Sequence, residues 1–307
     1  IIRNISEALP EACVATIGFF DGVHMGHRFL IDQVKEVAVA QGVRSALITF
    51  PVHPRKVISK DFRPELLTTE AEKLTLLAET GVDYCIMLDF TPDIARLTAR
   101  EFMTDILKER YNVQSLVIGY DHRFGHNRSE GFEDYCRYGK SIGMEVIRAH
   151  ARTFDGIHVS SSLIRDCLHK GDVQMADLCL GYDYFLDGIV VGGYQVGRKI
   201  GFPTANLRVD DPEKLVPADG VYAVHVSFDG NVYDGMLNIG HRPTLNNGDN
   251  RSIEVNILHF NADIYNKYIR ISFVKYLRPE LKFDGIEGLI SQLFKDQEEV
   301  EQLFAKR

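Results

Sequence analysis

The chain has 307 residues, 45% apolar and 25% charged, an ordinary globular composition at a length beyond one core of usual size, so two domains are expected. Lys and Arg number 35 against 43 Asp and Glu, a net charge of −8 with no block of like charge, which excludes nucleic acid as the main partner while leaving room for a few arginines to hold a small acidic substrate. No run approaches the roughly 20 apolar residues that cross a bilayer, the start lacks a secretory pattern, and the five cysteines form no C-x-x-C pair, so a cytoplasmic protein with reduced thiols, without membrane anchor or zinc knuckle, is expected.

The chain opens at Ile1 with no initiator Met, so one or more preceding residues are expected. The first half alternates short β-branched runs, C-V-A-T-I-G, S-A-L-I-T-F, Y-C-I-M-L, S-L-V-I-G and M-E-V-I, with segments of helical period near 27–41, 69–80, 98–110 and 129–143. That alternation predicts a doubly wound parallel sheet covered on both faces, with ligands at the carboxyl ends of its strands. Two short helices follow near 161–169 and 172–180, the second ended by Gly181. From Tyr184 the period is two, in G-I-V-V-G, V-Y-A-V-H-V-S-F, V-Y-D-G-M-L-N-I, S-I-E-V-N-I-L-H-F and Y-I-R-I-S-F-V-K-Y. Five or six antiparallel strands so spaced suggest a small barrel, closed by an amphipathic helix over about 285–304. The domains are therefore expected at 1–183 and 184–307, α/β followed by β. The pattern carries no signal about oligomeric state.

The strongest local motif is G-F-F-D-G-V-H-M-G-H, Gly18 to His27, directly after the first strand and opening the first helix. Glycines there let backbone approach a ligand, and a helix N-terminus offers unpaired N–H groups, so a phosphate is the natural guest. His24 and His27 flank Gly26 and could both point at that phosphate; the residues alone equally allow a glycine turn with two incidental histidines. Ser161 and Arg165 stand four apart at a predicted helix start, on one face, able to hold a polyphosphate together or to serve merely as cap and surface charge. Asp121 falls just past the fourth strand, at a switch-point crevice or in a simple turn. His53, after the second strand, lines that crevice or caps a loop. In the second half, Gly188, Gly193, Gly197 and Gly201 make a flap suited to phosphates, or a mobile hairpin, and Thr204 and Asn206 offer oxygens at i and i+2 on one side of an extended segment. Glu254 is a carboxylate in an otherwise apolar strand, turned inward for use or outward to solvent.

These motifs resemble one family, the H-x-G-H nucleotidyltransferases, and within them the prokaryotic bifunctional riboflavin kinase/FMN adenylyltransferases (FAD synthetases). G-F-F-D-G-V-H-M-G-H is similar to the family's opening signature almost letter for letter. T-F-P-V-H-P at 49–54 resembles T-F-x-P-H-P with the first Pro one place early, I-G-Y-D-H-R-F-G at 118–125 resembles G-x-D/N-F-x-F-G with His122 for Phe, and V-S-S-S-L-I-R at 159–165 resembles V-S-S-T-x-I-R with Ser162 for Thr. G-I-V-V-G-G-Y-Q-V-G-R-K-I-G-F-P-T-A-N, 188–206, resembles the riboflavin kinase signature, and R-S-I-E-V-N-I-L resembles E-x-H-I-L with Asn256 for His. N-I-G-H-R-P-T and L-R-P-E-L-K-F resemble further family segments.

The resemblance implies a Rossmann-like N-terminal domain that makes FAD and pyrophosphate from FMN and ATP, and a C-terminal barrel that phosphorylates riboflavin to FMN with another ATP. It implies catalytic roles for His24, His27 and Glu254. For ATP in the first domain it implies Gly18, Phe19, Asp21, Gly26, Asp121, Ser161 and Arg165, with His53 near the flavin phosphate. For ATP in the second it implies Gly193, Gly197, Arg198, Gly201 and Pro203, with magnesium on Thr204 and Asn206.

Overall fold

A computed structural model describes residues 1–3, 11–59, 61–119, 123–126, 129–150, 153, 156–193, 196–241 and 251–305. It divides into two compact units, Ile1–Ser161 and Ser162–Arg307.

The first unit runs β1 (Ile2–Arg3), β2 (Cys13–Ile17), α1 (Met25–Gln41), β3 (Arg44–Thr49), α2 (Pro54–Ile58), α3 (Glu70–Ala78), β4 (Tyr84–Met87), α4 (Pro92–Arg96), α5 (Ala99–Glu101), a π-helix over Phe102–Arg110, β5 (Val113–Ile118), α6 (Phe132–Ile142) and β6 (Glu145–Arg148). All neighbouring strands are parallel, in the order β1-β4-β3-β2-β5-β6. Alternate residues of β2 enter opposite cores: Cys13, Ala15 and Ile17 pack with Phe102, Met103 and Tyr135, while Val14 packs with Val34 and Ala38 of α1 and Val117 of β5. Burial on both faces is why these strands read as continuous apolar runs. Strand order reverses at β2, because β3 and β4 lie to one side of it and β5 and β6 to the other. A ligand crevice of such a sheet opens there, beyond the carboxyl end of β2.

Helix ends follow local chemistry. The α1 C-cap is Gly42 at φ 66°, Thr69 and Glu72 form a reciprocal capping box on α3, and α8 (Val173–Leu180) ends at Gly181 with φ 80°, as its glycine foretold. Two short helices of the first unit absent from the expectation, α2 and α4, each start with a capping side chain and a proline, His53-Pro54 and Thr91-Pro92.

The second unit begins within α7 (Ser161–His169), continues through α8, and forms a closed barrel of β7 (Phe185–Val191), β8 (Ala205–Val209), β9 (Gly220–Phe228), β10 (Asn231–His241), β11 (Arg251–Ile257) and β12 (Tyr268–Arg278), in the order β10-β11-β8-β7-β12-β9. A one-turn α9 (Val196–Lys199) separates β7 from β8. The terminal helix α10 (Ile286–Ala305) lies on the barrel through Val300, Leu293, Leu303 and Phe304 against Phe202, Ala223, Met236 and Leu258. Arg278 grips the almost fully buried Asp296 of α10 with Nε and Nη2, at 2.9 and 2.6 Å.

Candidate active sites

The chain leaves β2 at Gly18, whose N–H donates to Ile48 O at 3.0 Å, and reaches α1 through a loop in forced conformations. Phe20, Gly22 and Val23 have φ of 55°, 80° and 39°. For a β-branched valine that is a rare state, of the kind folds concentrate at functional loops. Phe20 and Val23 are buried, which holds the loop against its strain. His24 ends it as the N-cap of α1, its Nδ1 accepting from His27 N at 3.3 Å, so the proton of the neutral ring sits on Nε2. The His24 and His27 rings stack at 3.6 Å. A Cβ on Gly26 would come within 3.2 Å of the His24 ring, so the glycine is what allows that stack. Burial, then His24, then Lys73 push the His27 imidazole well below its ordinary value, keeping it neutral at neutral pH. Its Nδ1 is buried and has no hydrogen-bond partner among the described residues. An orphaned ring nitrogen in a strained glycine loop, at a helix N-terminus and a switch point, is suited to a ligand oxygen.

Asp21 has a different situation. Its carboxylate is 3% exposed and accepts from Leu67 N at 2.9 Å, Thr68 N at 3.1 Å and Thr68 Oγ1 at 3.3 Å, while Thr68 Oγ1 also accepts from Gly22 N at 3.0 Å. It latches the loop to the segment before α3. Ser161, the first residue of α7, donates from Oγ to the Asp21 carbonyl at 3.0 Å, bringing the helix start to the same loop. Arg165 lies one turn further along α7. His53 caps α2, Nδ1 accepting from Arg55 N at 3.1 Å, and its ring meets the Phe19 ring at 4.7 Å, so it serves as a loop cap and also stands beside the Gly18–His27 loop. Asp121 lies outside the described residues.

In the second unit, Glu254 of β11 pairs with Asn206 of β8. It points inward: Oε2 accepts from Thr204 Oγ1 at 3.3 Å, and Glu254, Thr204, Gly197, Asn238 and Asn256 line a cleft of about 320 Å³ walled by Leu289 and Leu293 of α10. The Asn256 amide donates to Pro203 O at 2.8 Å and so fixes the turn that delivers Thr204. Arg198, Pro203 and Thr204 line an adjoining hollow of about 70 Å³. The expected glycine flap is in part a packing device. Gly188 sits within β7, where a Cβ would meet Arg208 O at 2.3 Å, and a Cβ on Gly193 would strike the Asn206 amide at the same distance. Gly201 takes φ 85°, turning the chain toward Pro203. A hydroxyl and an amide oxygen beside a carboxylate form a hard-oxygen donor set, which fits magnesium shared with phosphates; among the described residues no group of three or more His, Cys, Asp or Glu could hold a metal without them.

Sequence reasoning missed Lys73, a buried ammonium under the Gly18–His27 loop whose place on an amphipathic helix gives no sign of it. It also missed the Arg278–Asp296 pair. Glu254 was singled out by its own charge in an otherwise apolar strand, and Asn256, polar in the same strand, carried a like signal.

The comparisons with known proteins fall on the same division. Residues 6–163 match the family model of FAD synthetase, and residues 180–304 match that of riboflavin kinase. The chain is 37% identical to the bifunctional riboflavin kinase/FMN adenylyltransferase of Listeria monocytogenes over 295 residues, covering 95% of this chain and 93% of the relative. It is 35% identical to the bifunctional riboflavin kinase/FMN adenylyltransferase of Escherichia coli K12, over 96% and 94% of the two chains. A solved structure described as a macrolide-efflux protein from Streptococcus pneumoniae superposes with a TM-score of 0.89 at 32% identity, over 98% of this chain and 99% of that one. No helix among the described residues of the present chain is long and apolar enough to cross a membrane.

Proposed function

The chain belongs to the family of bifunctional riboflavin kinase/FMN adenylyltransferases, and from that premise we propose which of its residues carry each reaction. The kinase, in the C-terminal part, converts riboflavin and ATP to FMN; the adenylyltransferase, in the N-terminal part, converts FMN and a second ATP to FAD and pyrophosphate. Residues 1–183 are assigned to adenylyl transfer and 184–307 to phosphorylation.

In the first site an FMN phosphate oxygen forms a bond to the α-phosphorus of ATP as the bond to pyrophosphate breaks. The α1 N-terminus, the Gly18 and Gly26 backbone, the His24 ring and the neutral His27 ring meet the charge gathering on the phosphates, with Ser161 and Arg165 holding the leaving end. His53 stands on the flavin-phosphate side. Asp21 acts through the loop, since its carboxylate is spent on Leu67 and Thr68. The observation that carries this reading is the buried, unpartnered His27 Nδ1 beside the strained loop. His27→Ala should slow FAD formation from FMN on the order of 10²-fold while riboflavin phosphorylation continues, so that FMN accumulates. Undiminished FAD formation would move the site elsewhere.

In the second site Glu254 takes the proton of the riboflavin hydroxyl as its oxygen forms the bond to the γ-phosphorus and ADP departs. Gly193, Gly197, Arg198, Gly201 and Pro203 shape the ATP side. Thr204 and Asn206 would hold magnesium, which when bound neutralises ATP phosphate charge. A cytoplasmic setting is proposed on the five free thiols, four of them buried.

A further inference from the structure

The β2–β3 ladder ends with Gly18 N on Ile48 O at 3.0 Å. Past that point the two chains separate into the loops that carry His24 and His27 on one side and His53 on the other. Two side chains bridge the fork, and one of them carries a charge. Lys73, on the second turn of α3 and 2% exposed, donates from Nζ to Phe50 O at 2.8 Å and to Phe19 O at 3.3 Å, and the same nitrogen lies 4.1 Å from the centre of the Phe19 ring. Thr49 Oγ1 adds a second bond to Phe19 O at 3.1 Å. The Phe19 ring in turn meets His53 at 4.7 Å. Lysine is rarely so buried unless it is paired or used.

We propose that Lys73 is a positioning residue for adenylyl transfer, its ammonium clipping the His24–His27 loop to the His53 loop so that the two hold their separation more firmly while it is protonated. The inference rests on the assignment of that reaction to the Gly18–His27 loop. Charged donors make hydrogen bonds roughly twice as strong as neutral ones, and a neutral amine forfeits the attraction of the Phe19 ring face. The groups facing Lys73 are Asp21 from the loop, Glu70 from the start of α3, Cys85 from β4 and His27 from α1. Burial outweighs the favourable charges of Asp21 and Glu70 and brings the ammonium down to about 8, within reach of an ordinary pH series. The sign separates loosening from unfolding: between about 8 and the ordinary 10.5 the unfolded chain binds more protons than the folded one, so through this group the fold gains stability as pH rises. Polyphosphate bound at the His24–His27 loop adds negative charge and holds the proton more tightly. The alkaline limb of kcat should therefore lie above that of kcat/KM.

The test measures FMN-to-FAD conversion by the full chain with ATP and magnesium from pH 6.5 to 9.5, with riboflavin-to-FMN conversion by the same protein as control. The wild-type kcat/KM for FAD formation should fall tenfold per pH unit above about 8, with no matching fall in the kinase. Lys73→Met should lower it on the order of 10²-fold, the cost of misplacing reacting groups by about 1 Å, and should abolish the limb. Lys73→Arg, which keeps charge and donors, should restore much of the rate and push the limb out of range. A flat wild-type profile, wild-type adenylylation in Lys73→Met, or an unmoved limb in Lys73→Arg would overturn the proposal. Should Lys73→Met not fold, the wild-type and Lys73→Arg profiles still decide. An unaffected His27→Ala would instead overturn the site assignment itself, whereas loss in His27→Ala with silent Lys73 variants would overturn only the clip.

Discussion

Glu254→Gln is the sharpest perturbation of the kinase site, because the structure limits what it can change. Glu254 Oε2 accepts from Thr204 Oγ1 at 3.3 Å, and its backbone is fixed opposite Asn206 in the β11–β8 pair. A glutamine keeps the shape, and its carbonyl oxygen can accept the same hydroxyl, so the Thr204 bond changes from a charged to a neutral hydrogen bond, a difference of about 1 kcal/mol in stability. What it cannot do is take a proton. A positioned base contributes about 10²- to 10⁴-fold, equivalent to roughly 3 to 5.5 kcal/mol of barrier, so the effect on rate should exceed the effect on folding. Chromatography of riboflavin, FMN and FAD after incubation with ATP and magnesium reads both steps. Riboflavin should remain unconverted, whereas FMN supplied directly should become FAD at the wild-type rate. Normal riboflavin turnover would show that Glu254 only supports Thr204, and a parallel loss of the FMN-to-FAD step would show that the variant had failed to fold.

Two further outcomes follow from buried groups of the first unit. His27, held neutral well below its ordinary 6.5, binds fewer protons folded than unfolded as pH drops below about 6.5, so its contribution to stability is present above that pH and is lost on acidification by up to about 1.4 kcal/mol per pH unit; urea unfolding from pH 7 to 5 should show a shallower acid loss in His27→Gln, and equal slopes would contradict the burial. Asp21→Asn can keep its one oxygen on Leu67 N, Thr68 N and Thr68 Oγ1 but sets its NH2 against Leu67 N and gives up the charge, costing about 1.5 to 3 kcal/mol, so its unfolding midpoint should fall; an unchanged midpoint with a raised KM for ATP would make Asp21 a nucleotide contact and not a latch.

What the sequence disclosed was what local chemistry decides. The run C-V-A-T-I-G is apolar but for Thr16 because β2 is covered on both faces, and Gly181 marked the end of α8 because its backbone is left-handed. The strand holding Asn206, with Thr204 just before it, was partly hidden, since the glycines before it read as a mobile flap although Gly188 and Gly193 are there for close approach. Asp21 could be read as a ligand contact because its partners lie 46 and 47 residues away, beyond any local pattern. Lys73 left no trace for the same reason: a lysine on a helix is ordinarily solvated, and only the meeting of Phe19 and Phe50 above it makes it unusual.

On the proposed assignment one chain carries two sites with separate residues, joined only by the FMN that one makes and the other uses. Mixing His27→Ala with Glu254→Gln and supplying riboflavin, ATP and magnesium tests it most directly. Alone, the first variant should stop at FMN and the second should leave riboflavin untouched. Together they should make FAD, the FMN released by one protein being adenylylated by the other. A mixture that makes no FAD, although each variant retains its own half-reaction, would contradict free exchange between two independent sites; a mixture in which neither half-reaction survives would contradict the assignment of His27 and Glu254 to different reactions.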